Sequence, residues 1–219
     1  MKKKGKLVVA VPKEYFENVD ERVKKKVWNA LHALEGHGVT YKEVSLPHTR
    51  YALAAYYIIA TAEASTNLAK YCGMRYGMHG ELRSDFNTYF SSVRSAGFGA
   101  EAKRRIILGT FARMAGYRDA YYMKAMQVRT CIINEFKETF KQYAAIVAPT
   151  MPTLPPKFSE IASMKPIEQY QMDVLTVPAN LAGLPHLSVP IDTMIGLHII
   201  GKHLSEQTII DLGSRVEAL

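Results

Sequence analysis

The chain has 219 residues and a formal net charge of +8; 48% of its residues are hydrophobic and 22% are charged. This composition excludes an intrinsically disordered chain and allows one large or two small cores. The longest apolar run, residues 51–60, is well under the ~20 residues that a bilayer-spanning helix needs, and the run after the first lysines is too short for a signal peptide. We therefore expect a soluble, cytoplasmic protein with no membrane partner.

Neither the basic residues nor the two cysteines mark a site. An excess of lysine and arginine would suit RNA, but the lysines at the N-terminus and at residues 24–26 are more simply explained as solvated faces. Cys72 and Cys131 are too few for a disulfide framework and fit a reducing compartment. Each cysteine is expected to be a small buried side chain.

The first predicted elements form a β-α-β unit. Residues 7–11 are a continuous apolar run that ends at a proline, which is typical of a buried strand. Asp20 can cap the helix that follows, which Gly36 or Gly38 ends. Residues 39–46 alternate as a second strand, so the crossover is expected to be right-handed.

The middle of the chain is predicted to be mostly helical. Apolar residues repeat every three or four positions over residues 49–71, until a run of glycines breaks the pattern. A second helical region covers residues 101–143 and is predicted to bend near Gly116, before an apolar strand at residues 144–148.

The C-terminal third adds a loop, two helices and two strands. Residues 151–166 are rich in proline and serine and predict a surface loop, and Pro178 must kink or break a helix over residues 168–182. Two strands at residues 187–191 and 197–200 precede a last helix, which Ser205 can cap. Helices interleaved with short buried strands predict an α/β fold: a layered mixed β-sheet covered by helices.

The sequence shows no complete catalytic machinery. It contains no G-x-S-x-G turn and no S-x-x-K motif, and Ser91 and Ser92 lack flanking glycines, so helix capping or a surface position is the simpler role for that pair. His198 and His203 do not have the i, i+4 spacing of zinc hydrolases. We predict no catalytic residue and no metal site in this chain.

Several stretches together carry a family resemblance. They are VPKEYF, residues 43–71, GFGAEAKRRIILGTF, DAYYMKAMQVRT, VPANLAGLP and GLHIIGK. They resemble the amidase-signature family, and within it the A subunits of amidotransferases that act on Glu-tRNA(Gln) or Asp-tRNA(Asn). The family's N-terminal half, with its serine, cis-serine and lysine triad, has no counterpart here, so residues 1–219 are interpreted as one partial domain, the C-terminal half.

The resemblance implies a substrate-binding role for Arg105, Asp173 and Tyr56. In the family, the second arginine of K-R-R-I, which matches Arg105, binds the carboxylate of glutamine. The aspartate that matches Asp173 binds the ammonium group of glutamine, and the tyrosine that matches Tyr56 lines the pocket. An arginine fork does match a carboxylate in two parallel hydrogen bonds. The residues alone leave other roles open: a surface ion pair for Arg105, a helix cap for Asp173 and a core position for Tyr56.

The sequence departs from the family pattern at a few places. Cys72 stands where an aspartate is common, His198 stands where a glutamine is common, and the connection from Pro190 to Gly196 is shorter than usual.

The first hypothesis is that the chain is the glutamine-binding part of an amidotransferase A subunit. The resemblance then implies B and C subunits as partners and tRNA reached indirectly through the B subunit, and it leaves a separate N-terminal half open as a further partner. It implies no cofactor in this chain, with ATP and Mg²⁺ at the partner B subunit. The isolated chain is expected to lack glutaminase activity.

Two alternatives remain open from the sequence. The chain could be a fragment of another amidase-signature hydrolase that acts on a different amide. It could instead be a non-catalytic split-gene partner or a remnant that acts only by binding.

Overall fold

The computed structural model describes residues 7–81 and 85–219. The chain forms two compact units. The first, the sheet unit, consists of Met1–Leu53 and Val128–Leu219, and the second, the helical unit, is Ala54–Gln127.

Five strands and nine α-helices are present in the described residues. The strands are β1 Leu7–Pro12, β2 Val39–Val44, β3 Ala145–Pro149, β4 His186–Asp192 and β5 Ile195–Gly201. The helices are α1 Glu21–Glu35, α2 Ala52–Asn67, α3 Phe86–Gly97, α4 Ala100–Arg113, α5 Lys124–Thr139, α6 Phe158–Ile161, α7 Pro166–Gln171, α8 Val177–Ala182 and α9 Glu206–Val216.

The strands form one mixed sheet in the order β2-β1-β3-β5-β4. β1 is parallel to β2 and β3, whereas β5 is antiparallel to β3 and β4. Every residue of β3 is buried, because this central strand has a neighbour on each side and both of its faces are covered. The mixed sheet with helices confirms the predicted α/β fold.

α1 and α9 cover the same face of the sheet. Asp20 caps α1, since its carboxylate accepts hydrogen bonds from the N–H groups of Arg22 and Val23, as predicted. The ring of Trp28 on α1 contacts Tyr41 on β2, and the backbone of Gly213 on α9 lies against Leu187 and Val189 on β4. Strand register places these three strand residues on one face.

Two predictions about the C-terminal elements have different outcomes. The predicted helix over residues 168–182 is broken, with α7 ending at Gln171 and α8 beginning at Val177 just before Pro178. The predicted serine cap of the last helix is wrong: Ser205 precedes α9, but its hydroxyl donates to the carbonyl oxygen of Lys202 at 2.5 Å.

α3 was not predicted from the sequence. Ser91 and Ser92 lie inside this helix and are exposed, so of the two roles expected for them the surface position is confirmed. The expected burial of the cysteines is wrong, because Cys72 is half-buried and Cys131, which lies in the sheet unit, is exposed.

α2 and α4 approach each other closely in the helical unit. A Cβ atom on Gly109 of α4 would lie 1.9 Å from the carbonyl oxygen of Thr61 on α2, so only glycine fits there. One turn later, the guanidinium of Arg113 donates to the hydroxyl of Ser65 at 3.1 Å. In residues 7–81 and 85–219, no helix combines the length and apolar character that crossing a membrane requires.

Candidate functional site

Arg105 lies on α4, where its guanidinium contacts Glu101 and Tyr57. Its Nε–H donates to the carboxylate of Glu101, four residues earlier on the helix, at 2.8 Å. The guanidinium carbon lies 5.8 Å from the ring centroid of Tyr57 on α2, within cation–π range. Since 38% of its side chain is exposed, Arg105 is partly buried but still reachable by a ligand.

Arg104 shares the same acid but has a more exposed position. Its guanidinium donates to the second carboxylate oxygen of Glu101. The structure therefore distinguishes the two arginines, because an aromatic contact is present at Arg105 and none is found at Arg104 in the described residues.

Tyr56 belongs to the same neighbourhood as Arg105. It is half-buried on α2, and its ring meets that of Tyr57 edge-on with the centroids 5.4 Å apart. Tyr57 thus lies between the two predicted site residues. The sequence prediction selected only Tyr56, although helical spacing alone fits either tyrosine of the pair.

Asp173 belongs to the sheet unit and is exposed, between α7 and α8. Its backbone carbonyl accepts hydrogen bonds from the N–H groups of Thr176 and Val177, at 3.0 and 3.1 Å, which anchors the start of α8. Because Arg105 and Tyr56 belong to the other unit, the gathering of all three residues into one pocket stays a prediction.

The two neighbours of Asp173 line a cavity of about 520 Å³ in the sheet unit. Met172 and Val174 share this cavity with Glu14 and the buried Tyr15, among others. Burial raises the pKa of Tyr15, and the nearby carboxylates of Glu135 and Glu14 add to this, so the phenol stays neutral. Burial also opposes ionisation of Glu14, but hydrogen bonds to its carboxylate lower its pKa overall.

Two histidines form a pair that the sequence analysis did not recognise. His198 on β5 is 1% exposed, and its Nε2 lies 2.9 Å from Nδ1 of His186 on β4. One ring must donate to the other, so at least the ring that accepts is neutral when this bond forms. Burial, with a smaller contribution from His186, lowers the pKa of His198 to about 3. The signal was the position of both residues on one face of adjacent strands.

The described residues offer no metal centre. No group of three or more histidine, cysteine, aspartate or glutamate side chains in residues 7–81 and 85–219 is arranged to hold a metal ion. The hydroxyls of Thr150 and Ser188 lie 2.7 Å apart and bond to each other. Because each hydroxyl bonds to the other rather than to a histidine, lysine or carboxylate, the pair does not form an activated nucleophile.

Comparison with known proteins identifies the family of the chain. The family model described as Amidase matches residues 1–210. The chain belongs to the amidase family. This amidase-family chain is 50% identical over 208 residues to the A subunit of glutamyl-tRNA(Gln) amidotransferase from Halalkalibacterium halodurans. The protein of the same name from Geobacillus thermodenitrificans is also 50% identical over 208 residues.

Solved structures agree with membership of the amidase family. A crystal structure of the A subunit of glutamyl-tRNA(Gln) amidotransferase from Thermotoga maritima superposes with a TM-score of 0.71 and 35% identity, covering 97% of this chain and 42% of that one. A crystal structure of an amidase superposes with a TM-score of 0.74 at 21% identity, covering 98% of this chain and 46% of that one, which shows a shared fold.

The amidase-family chain is shorter than its relatives. The alignments to the two bacterial subunits cover 93% of this chain but 43% of each relative. The region matched by the family model thus contains Arg105, Asp173 and Tyr56, while more than half of each relative's length lies outside the alignment.

Proposed function

We propose that this chain is the glutamine-binding part of the glutaminase subunit of a tRNA-dependent amidotransferase. The observation that carries this proposal is the 50% identity, over 93% of the chain, to proteins named as A subunits of glutamyl-tRNA(Gln) amidotransferase. In this role the complete amidotransferase, of which this chain would be one part, would release ammonia from glutamine. It would use the ammonia to convert Glu-tRNA(Gln) or Asp-tRNA(Asn) to the amidated form in the cytoplasm.

Arg105 would bind the α-carboxylate of glutamine. Glu101 holds its Nε–H and Tyr57 lies beside the guanidinium, so the side chain has a preferred orientation before the substrate arrives. The planar guanidinium group has the geometry to donate two parallel hydrogen bonds to a carboxylate. Asp173 would bind the ammonium group, and Tyr56 would line the pocket.

Cleavage of the glutamine amide also needs a nucleophile, a base and hydrogen-bond donors for the oxyanion. We assign these roles to the serine, cis-serine and lysine segment that the family resemblance implies, and not to the residues of this chain. The B and C subunits would be its partners, and ATP with Mg²⁺ would act at the B subunit, where tRNA is bound.

The test uses an enzyme reconstituted from this chain, the N-terminal part of an amidase domain, and the B and C subunits. Arg105→Lys should raise the KM for glutamine by about 10- to 100-fold, because a charge-assisted hydrogen bond is worth roughly 1.5–3 kcal/mol. Amidation supported by ammonium chloride should be unchanged, since it bypasses glutamine.

Arg104→Lys is the matched control, because Arg104 binds the same Glu101 without the aromatic contact. It should leave the KM for glutamine near the wild-type value. The proposal fails if Arg105→Lys does not change this KM, or if both variants reduce ammonium-supported amidation equally. The purified 219-residue chain alone should release no ammonia above background.

A further inference from the structure

A groove of about 720 Å³ runs along α5 in the sheet unit. α5 and the turn after it contribute residues spaced as one helical face, namely Ile133, Phe136, Lys137, Phe140 and Lys141. The other side is formed by the end of α8 and by the chain after α8 and after β5, namely Ala182, Leu184, Lys202 and His203. Its volume lies in the range of sites that bind ligands or side chains of a partner.

The floor of the groove is apolar. Phe136 is 1% exposed and forms the base, and Ile133, Phe140 and Leu184 are half-buried around it. These side chains present carbon surface that a ligand could cover, so an apolar group would be favoured inside the groove.

The rim of the groove is cationic. Lys137, Lys202 and His203 are exposed, and the lining includes no acidic residue. Lys141 pairs with Glu138 at 2.7 Å, whereas Lys137 and Lys202 have no carboxylate within salt-bridge distance in the described part of the chain. An acidic ligand would therefore find two ammonium groups that are not already neutralised.

Two hydrogen bonds fix the wall opposite α5. The Nε–H of Arg129 on α5 donates to the carbonyl oxygen of Leu181 at 2.8 Å. Nδ1 of His203 lies 3.3 Å from the carbonyl oxygen of Gly183. The groove is thus held open by the fold, which reduces the conformational entropy that is lost on binding.

Leu204 continues this surface beyond the groove. It follows directly after Lys202 and His203, it is 79% exposed, and its backbone is left-handed with φ of 58°. A leucine is disfavoured in this region of φ and gains no burial here. Backbone strain at an exposed residue is found at functional surfaces more often than elsewhere, so Leu204 extends the apolar surface that a ligand of the groove could cover.

We propose that the groove and Leu204 bind an acidic amphipathic helix of a partner protein. The apolar face of that helix would cover Phe140 and Leu204, and its carboxylates would meet Lys137 and Lys202. A small anion would leave Leu204 uncovered. RNA fits less well, because Phe136 at the base is too deeply buried to stack on a nucleobase. This inference does not depend on the glutaminase function.

The test measures binding to the full 219-residue chain by fluorescence anisotropy. The probe is a labelled helical peptide of about four turns that carries leucine on one face and glutamate on the other. Wild-type protein should bind it with a Kd below about 1 mM, and added salt should weaken the binding. The same peptide with lysine in place of glutamate should bind at least about tenfold more weakly.

Two sets of variants locate the binding surface. Lys137→Glu with Lys202→Glu should raise the Kd by at least about tenfold, whereas Lys25→Glu, an exposed lysine on α1, should change it less than about twofold. Leu204→Gly should weaken peptide binding while the urea midpoint of unfolding stays level or rises, because glycine relieves the left-handed strain. If Leu204 only stabilised the fold, Leu204→Gly would weaken peptide binding and also lower the urea midpoint of unfolding.

Three outcomes would overturn the proposal. One is the absence of peptide binding by the wild-type chain up to about 1 mM. Another is equal binding by wild-type protein and the double charge-reversal variant. The third is tighter binding of a labelled single-stranded RNA that competes with the peptide, which would assign the groove to nucleic acid.

Discussion

The sheet unit and the helical unit bury their apolar side chains to different degrees. In the sheet unit, the central strands are almost fully buried: Ile146, Val147, Ile199 and Ile200 are 0% exposed. The helical unit leaves many large apolar residues exposed, which are Tyr71, Met74, Tyr76, Met78, Phe86, Ile107, Leu108, Phe111, Met114, Tyr117, Tyr121 and Met123.

The sheet unit therefore has a core of buried apolar side chains, whereas the helical unit has an apolar surface exposed to solvent. Burial of apolar area is the main stabilising contribution to folding, so the sheet unit supplies its own stability. In the helical unit, α4 leaves Ile107, Leu108 and Phe111 exposed. Exposed side chains contribute little hydrophobic stabilisation, so the helical unit draws less stability from its apolar residues than the sheet unit does.

The largest expected effect on stability comes from replacing an isoleucine by alanine, once in the sheet unit and once in the helical unit. Ile146→Ala on β3 should reduce the free energy of unfolding by about 2–5 kcal/mol, because it leaves a cavity in a fully buried site. Ile107→Ala on α4, where the side chain is 68% exposed, should change it by no more than about 0.5 kcal/mol. Urea titration followed by the fluorescence of Trp28, the single tryptophan, measures unfolding of the sheet unit in the Ile146→Ala variant. Circular dichroism measures the unfolding of both units in both variants.

Equal losses from the two substitutions would break the comparison. They would mean that Ile107 is covered in solution, by a second copy or by the rest of the chain. Repeating the titration at several protein concentrations separates these cases, because only self-association depends on concentration.

The second effect is confined to the helical unit. Gly109→Ala should destabilise the contact between α2 and α4 by at least about 1–3 kcal/mol, because a methyl group has no space beside the Thr61 carbonyl. Hydrogen exchange with mass spectrometry should show lost protection in α2 and α4 but unchanged protection in β3. Thr110→Ala, at the exposed neighbouring position, is the control and should leave all of these amides protected.

If β3 also lost protection in Gly109→Ala, the two units would unfold together. The two units would then differ in burial within the folded state, but they would not be separate cooperative units of unfolding.

The sequence predicted the sheet unit better than the helical unit, for a physical reason. Strands such as β3 are continuous apolar runs bounded by proline, and a cap such as Asp20 leaves a local signature. α3 was missed because glycines precede it, although Asp85 caps it and Phe86, Tyr89, Phe90 and Val93 have helical spacing. The apolar periodicity of a helix is easiest to recognise where one face is buried. In α3 some of the aromatic residues are exposed or only half-buried, so the buried face is less distinct in the sequence.

The candidate site was predicted by resemblance, and its geometry could not be predicted from the sequence. The i, i+4 spacing indicates the contact of Glu101 with Arg105, but no local pattern reports the contact with Tyr57, which is distant in sequence. The burial of Cys131 was predicted wrongly because base rates ignore the helical face: the buried stripe of α5 follows Ile132 and Phe136, and Cys131 lies beside it.

The smallest effect, taken over a single pH unit, concerns a buried histidine inside the otherwise well-packed sheet unit. His198 has a pKa lowered to about 3 in the folded chain, by burial and then by His186, against an ordinary value of 6.5. The unfolded chain therefore binds a proton more readily, so the stabilisation is complete above pH 6.5 and decreases as pH falls toward 3. The expected slope is about 1.4 kcal/mol per pH unit in this window. His198→Gln should flatten it, because glutamine does not titrate.

The unfolding midpoint in urea at a series of pH values measures this slope, with Trp28 as the reporter. His203→Gln is the matched control, since His203 is exposed, and it should keep the wild-type dependence. An identical slope in wild type and His198→Gln would show that the acid sensitivity arises from carboxylates elsewhere. A reduced slope only for His198→Gln would instead assign the acid sensitivity to the buried imidazole of β5, and would show that a well-buried core can still contain a pH-sensitive group.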